Sequence, residues 1–271
     1  MTGVQLMSTA AIHEDSKESG TASAVRALQL LNVFSGEEPS LGVSEISRRA
    51  GIPTSTAHRL LSHLVKGELL TKDGSNYRLS LNLYQLGNQA MHGQVQGLRE
   101  AAAPYLGELF GRTGLTANLA FLQGPEIVMI DKVVGLRGYR SPSVVGGRYP
   151  TACTALGKAM LAFEPQESIQ NVLTFGIPRR TRHSISSIPE MLGQLAQTRT
   201  TRLAYDREEA SLGQFCVASP IVVNERAVAA ISLSGKVNSY DVAATGALLV
   251  QSANQLAAKL NARRNPRRVS L

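Results

Sequence analysis

The chain has 271 residues, a length that suits two domains better than one. It is 43% hydrophobic and 18% charged, the composition of a globular protein, its longest apolar runs fall short of the roughly 18 residues of a membrane span, and its two cysteines, Cys153 and Cys216, exclude a disulfide framework and a CxxC metal site. The net charge of +8 invites a nucleic-acid partner, but residues 1–90 hold eight basic against eight acidic side chains, so the whole excess lies in residues 91–271 and charge does not identify the binding half.

Residues 1–22 are rich in Ser, Thr, Glu and Gly and predict a disordered tail. Helical spacing of Ala24, Leu28 and Leu31 then predicts a first helix with Ser23 as cap, ended by GEEPS at 36–40. VSEISRRAG predicts a second helix, with Gly42 at the N-cap and the Glu45 carboxylate three residues on. Gly51 supplies a tight turn between helices, Pro53 cannot continue a helix, and Thr54 is the expected N-cap of the next.

The stretch from Gly51 to Lys66, GIPTSTAHRLLSHLVK, places Ala57, Leu60, Leu61, Leu64 and Val65 on one helical face. The opposite face carries Ser55, Thr56, His58, Arg59, Ser62 and His63, side chains suited to base edges and phosphates. It reads as a DNA recognition helix; an ordinary amphipathic surface helix is the alternative. Leu69 to Thr71, the turn KDGSN and Tyr77 to Leu79 predict a two-stranded ribbon, which completes a winged helix-turn-helix order over 23–84. Thr54, Ser55, Thr56, His58, Arg59, Lys72 and Arg78 are the candidate DNA contacts, with Lys72 and Arg78 also readable as solvated hairpin charges.

Leu83, Leu86, Ala90 and Met91 share a helical face, and Pro104 interrupts the pattern, which predicts a linker helix over 85–103 and a new helix after it. Beyond 104 strands and helices mix without strict alternation, predicting an α+β domain over 104–262. TANLAFL and IVMIDKVV flank a QGPE turn, TALGKAMLAF is helical, further helices fit Pro165 to Thr174 and Ser187 to Arg199, and strands return at RLAYDRE, QFCVASPIVV and AVAAISLSG. A closing helix spans Tyr240 to about Ala262, and residues 263–271, with Arg263, Arg264, Arg267 and Arg268, form a basic tail. The start of the chain lacks a secretory pattern, so a cytoplasmic protein is expected.

GIPTSTAHRLLSHL, PTACTALGKAMLA, EEASLGQFCVASPI and AAISLSG, in this order and spacing, resemble the IclR family of bacterial transcriptional regulators from about Ser23 to Ala262. The resemblance implies an N-terminal winged helix-turn-helix, a linker helix and a C-terminal GAF-like α/β effector-binding domain. It implies dimers, often pairing into tetramers, that bind palindromic promoter DNA. It further implies an effector pocket built from Ala155 and Leu156 at the start of the TALGK helix, Asp206 ahead of the acidic E-x-x-x-x-G segment, Cys216 of CVASP, and Ser232 and Ser234 of the SxSG strand.

These positions make joint physical sense. Ser232 and Ser234 alternate on a strand and point one way. A helix N-terminus offers amides to a carboxylate ligand, so a small organic acid is the expected effector, with no catalytic residue, metal or cofactor. Two departures put the pocket at issue: Lys236 stands where the family usually has Pro, and Thr151, Ala152 and Cys153 follow Pro150 where it commonly reads P-L-H. Bland alternatives stay open at each position. Cys216 also reads as a small core residue, Asp206 as a strand-end charge, and the two serines as filling of a tight sheet. Two other functions are readable: a ligand-free C-terminal domain that only dimerises, and a hydrolase using Cys216 as nucleophile, which needs a base beside the thiol.

Overall fold

A computed structural model describes residues 19–35, 38–94, 97–135, 142–239 and 241–264. The chain separates into two compact units, residues 1–96 and 97–271.

The first unit begins with α1 (Ser19–Leu30), continued by a 3-10 turn (Leu31–Phe34). The helix thus starts four residues before the expected Ser23 cap, and residues 1–18 of the expected tail lie outside the described residues. A short strand β1 (Leu41–Gly42) leads into α2 (Val43–Ala50) and α3 (Thr54–Lys66). Between the helices Gly51 adopts a left-handed φ of 65°, a conformation that strains any residue with a Cβ. Two expected caps differ. Pro53 takes the cap position of α3, so Thr54 becomes its first helical residue. The Glu45 carboxylate turns away from the α2 N-terminus to Arg48 and Arg49, because guanidinium forks one turn on bind it more strongly than a backbone amide.

Strands β2 (Leu70–Asp73) and β3 (Asn76–Leu79) form the wing, with Gly74 at positive φ in its turn. β3 also pairs with β1, giving a three-stranded sheet in the order β1-β3-β2. One core joins the three helices and the wing: Leu30, Phe34, Leu41, Ile46, Leu60, Leu61, Leu64, Leu70 and Tyr77 are buried together. Helix α4 (Leu81–Gln94) closes this unit.

The second unit opens with α5 (Leu98–Thr113), and Pro104 lies inside it. The expected break at Pro104 is not made: α4 runs to Gln94, residues 95–96 lie outside the described residues, and Gly97 caps α5 with a φ of 77°. Pro104 deprives only the Glu100 carbonyl of its helical partner. Burial of Ala101, Ala102, Leu106 and Leu109 around it keeps the helix continuous.

Six antiparallel strands follow: β4 (Thr116–Gln123), β5 (Glu126–Val133), β6 (Arg148–Pro150), β7 (Ala204–Arg207), β8 (Gln214–Val223) and β9 (Arg226–Lys236). Their order is β6-β5-β4-β9-β8-β7. The turn between β8 and β9 uses Asn224 and Glu225, both at positive φ, the conformation that matches strand twist in two-residue hairpins. α5 and α9 (Val242–Arg264) pack against each other and the sheet. Helix α6 (Ala155–Leu161) also lies on the sheet, and its other side packs with α7 (Gln166–Thr174) and α8 (Ile188–Thr201). Covered on both sides, every residue of α6 is buried, which explains an apolar run without amphipathic spacing. α9 reaches Arg264, past the expected start of the basic tail, and residues 265–271 lie outside the described residues.

Candidate functional site

The first candidate surface is the exposed side of α3. Ala57, Leu60, Leu61 and Leu64 are buried, which turns Thr54, Ser55, His58 and Arg59 to solvent and leaves Thr56 half-buried. The approach of α2 to α3 is held by Ser47, whose Oγ donates to the Ile52 carbonyl at 2.6 Å and lies 3.2 Å from Thr54 Oγ1. Among the described residues Arg59 makes no hydrogen bond or ion pair, so its guanidinium is available to a ligand. Arg48 and Arg49 are not: Glu45 holds both, and those bonds keep its carboxyl down at about 2. On the wing, Lys72 and Arg78 are exposed. Arg78 Nε donates to Thr71 Oγ1 at 3.1 Å, and the Lys72 ammonium sits 5.7 Å from the ring centroid of the buried Tyr77.

The second candidate lies on the α6 side of the large sheet. Antiparallel register puts Asp206 opposite Cys216, Cys216 opposite Ser234, and Ser234 opposite Thr116. Two residues along each strand, Ala204, Ala218, Ser232, Asn118 and Lys132 form a parallel row. Side chains alternate across a sheet, so both rows share one face. Thus Asp206, Cys216, Ser232 and Ser234, from three strands, come together, and all are buried. Around them the face is lined by small side chains, Ala120, Ala204, Ala218, Ala227 and Ala230, against which Ala155 and Leu156 of α6 pack.

The polar groups are linked. Asn118 Nδ2 donates to Ser232 Oγ and Ser234 Oγ, each at 3.2 Å. Gln214 Nε2 donates to Cys216 Sγ at 2.9 Å. Asp206 Oδ1 accepts from the amides of Glu209 at 2.7 Å and Ala210 at 3.2 Å. Burial, and then the charge of Glu209, push the Asp206 carboxyl up to about 7, so at neutral pH it stands between its charged and neutral forms.

At the start of α6, Thr154 Oγ1 accepts from Gly157 N at 3.1 Å, which uses one of the first-turn amides. Gly157 is required there: a Cβ would fall 2.2 Å from the Thr151 carbonyl oxygen. One turn on, Lys158 is 1% exposed and bonds both Glu209 oxygens, at 2.6 and 2.7 Å, and Gln194 Oε1 at 2.8 Å. This ion pair ties α6 to α8 and to the segment after β7. The residue types alone did not reveal Lys158, Glu209, Gln214 or Asn118, although a lysine within the apolar run ALGKAMLA was a signal. Cys153 is fully buried, and burial pushes its thiol up to about 12. Lys236 is exposed at the end of β9.

The thiol-nucleophile reading lacks a base. Burial and the neighbouring Asp206 charge raise the Cys216 thiol well above its ordinary value, which keeps it protonated. His183, the histidine nearest in sequence, is exposed and accepts from Arg182 Nε. Among the described residues no cluster of His, Cys, Asp and Glu is suited to a metal ion, and no helix is long and apolar enough to cross a membrane.

A winged helix-turn-helix with an unpaired arginine on its exposed helix, joined in one chain to an α/β domain with a buried polar row, defines a two-part DNA-binding regulator. Residues 23–74 match the IclR helix-turn-helix domain, and residues 91–261 match the bacterial transcriptional regulator IclR C-terminal family. The chain belongs to the IclR family and is a transcriptional regulator of that type. It is 34% identical over 223 residues to the regulator XynR of Escherichia coli, covering 81% of this chain and 88% of XynR. Over 218 residues it is 33% identical to the probable regulator SauR of Cupriavidus necator, covering 78% and 85%.

Two solved structures share the fold. Thermotoga maritima IclR superimposes with a TM-score of 0.75 at 25% identity, over 89% of this chain and 99% of that one. An IclR homologue from Microbacterium hydrocarbonoxydans, complexed with 4-hydroxybenzoate, gives 0.78 at 24% identity over the same shares.

Proposed function

We propose that this regulator binds a palindromic operator in promoter DNA and that a small organic acid, bound on the α6 face of the C-terminal sheet, controls that binding. The observation that carries the reading is the convergence of Asp206, Cys216, Ser232 and Ser234 in one buried, alanine-lined patch. A domain needed only to dimerise gains nothing from burying Asp206, because burial penalises its carboxylate charge. The 4-hydroxybenzoate held by the Microbacterium homologue supports an acid of this size.

In this reading the acid is held by neutral donors: the first-turn amides of Ala155 and Leu156, the serine hydroxyls, and Asp206 in its protonated form. A carboxylate arriving beside Asp206 favours that form, so binding takes up a proton and strengthens as pH falls through about 7.

On DNA, α3 enters the major groove with Ser55, Thr56 and Arg59 toward base edges, and Thr54, His58, Lys72 and Arg78 contribute backbone contacts. Two heads grip half-sites about 34 Å or a multiple apart, which requires at least a homodimer and is compatible with a tetramer. Exposed apolar side chains on α1 (Val25 and Leu28) and α4 (Leu81, Tyr84 and Leu86) support self-association. An effector that binds two arrangements of the heads unequally shifts operator affinity. The site of action is the cytoplasm.

The experiment is fluorescence anisotropy on promoter DNA, with and without a panel of organic acids. Arg59→Ala is expected to weaken operator binding by about 1–3 kcal/mol and to relax base preference at one position, as loss of a bidentate guanine contact does. Wild-type affinity and selectivity in that variant would remove α3 as the reader. An operator complex indifferent to every acid, with no calorimetric heat, would leave the C-terminal domain as a ligand-free dimerisation module.

A further inference from the structure

Asn118 lies on β4 between Ser232 of β9 and Lys132 of β5 in the register of the sheet, and it is 3% exposed. Its Nδ2 directs protons to Ser232 Oγ and Ser234 Oγ, and lies 3.5 Å from the Thr116 carbonyl. A carbonyl only accepts, so this end of the amide is the donor end and Oδ1 lies at the other. Among the described residues, Asn118 Oδ1 is buried and receives no hydrogen bond. Ser232 Oγ, at the donor end of the amide, accepts from Asn118. The face therefore holds a buried acceptor without a donor. Buried polar atoms of this kind are uncommon in native proteins, and each calls for a partner.

A carboxylate cannot be that partner for Oδ1, since it brings only acceptors. A hydroxyl supplies the missing donor for Asn118 Oδ1. We infer that Asn118 is a specificity-determining residue of the effector site, whose amide oxygen accepts a hydrogen bond from a hydroxyl on the effector, and that the effector class is therefore hydroxy acids rather than plain carboxylic acids. The inference rests on the proposed acid site and adds what distinguishes one acid from another. An unmet buried acceptor penalises the ligand that lacks the donor more than a lost surface contact does.

Calorimetry on the full-length protein tests this with matched pairs: lactate and propionate, mandelate and phenylacetate, 4-hydroxybenzoate and benzoate. The hydroxylated member of a binding pair is expected to bind at least about 10-fold tighter than its partner. In Asn118→Leu, checked for fold by circular dichroism, that preference is expected to collapse, with the deoxy acid binding as well as before or better. The wild-type comparison stands even if the variant does not fold. Equal affinity within every binding pair overturns the inference and leaves a water molecule on Asn118, with the acid site intact. A preference that survives Asn118→Leu also overturns it. If neither member of any pair binds, the acid site itself fails and the inference falls with it.

Discussion

Asp206→Asn isolates the electrostatic cost of the buried row. Asp206 is 1% exposed, and burial with the nearby Glu209 charge moves its carboxyl from 3.8 to about 7. In the unfolded chain the same group ionises near its ordinary value, so the folded state binds the proton more tightly. The stability that protonation contributes is present in full below about 3.8 and is lost progressively as pH rises to about 7. A shift of this size, at roughly 1.4 kcal/mol per pH unit, corresponds to about 4 kcal/mol lost by pH 8 and to less than about 1 kcal/mol at pH 4. Asparagine keeps an oxygen for the amides of Glu209 and Ala210 and carries no charge. The variant is therefore expected to be more stable than wild type at pH 8, by up to about 4 kcal/mol, and nearly equal to it at pH 4. Urea unfolding, followed by circular dichroism at several pH values, measures the difference. A difference between the two proteins that does not change with pH would refute the reasoning, because only a titrating Asp206 makes it pH-dependent.

Lys158→Met leaves Glu209 buried without its cation and is expected to destabilise the protein by about 3–5 kcal/mol, while Lys158→Met with Glu209→Leu recovers much of the loss in the same unfolding assay. Gly157→Ala drives a methyl group into the Thr151 backbone, with an expected loss of at least about 3 kcal/mol or failure to accumulate as soluble protein. Ser47→Ala removes the hydroxyl bond across the helix-turn-helix corner and is expected to cost about 1 kcal/mol, read as a lower thermal midpoint.

The reading head was largely legible from residue order. The spacing of Ala57, Leu60, Leu61 and Leu64 is local, and so is the glycine turn before it, and local periodicity survives into the fold. What failed there was also local in origin but decided by competition: Glu45 had a backbone amide and two arginines within reach, and the arginines won. Pro104 failed for a different reason, since the burial of Ala101, Ala102, Leu106 and Leu109 outweighs one missing hydrogen bond.

The candidate effector face divides in the same way. Family resemblance supplied Asp206, Cys216, Ser232, Ser234, Ala155 and Leu156, but not the reason they meet. Asn118 is separated from Ser232 by 114 positions and Lys158 from Glu209 by 51, and a pairing across such distances leaves no periodic mark in a single sequence. By itself, the sequence determined the helices, the strands and the face each turns inward, because those follow from nearest neighbours and hydrophobic period. Only the tertiary structure decided which strands lie side by side. That choice sets Asp206, Cys216 and Ser234 in one row, places Asn118 between two serines with its oxygen unmet, and buries an ion pair beneath α6, since strand register and helix stacking arise from packing the whole chain at once.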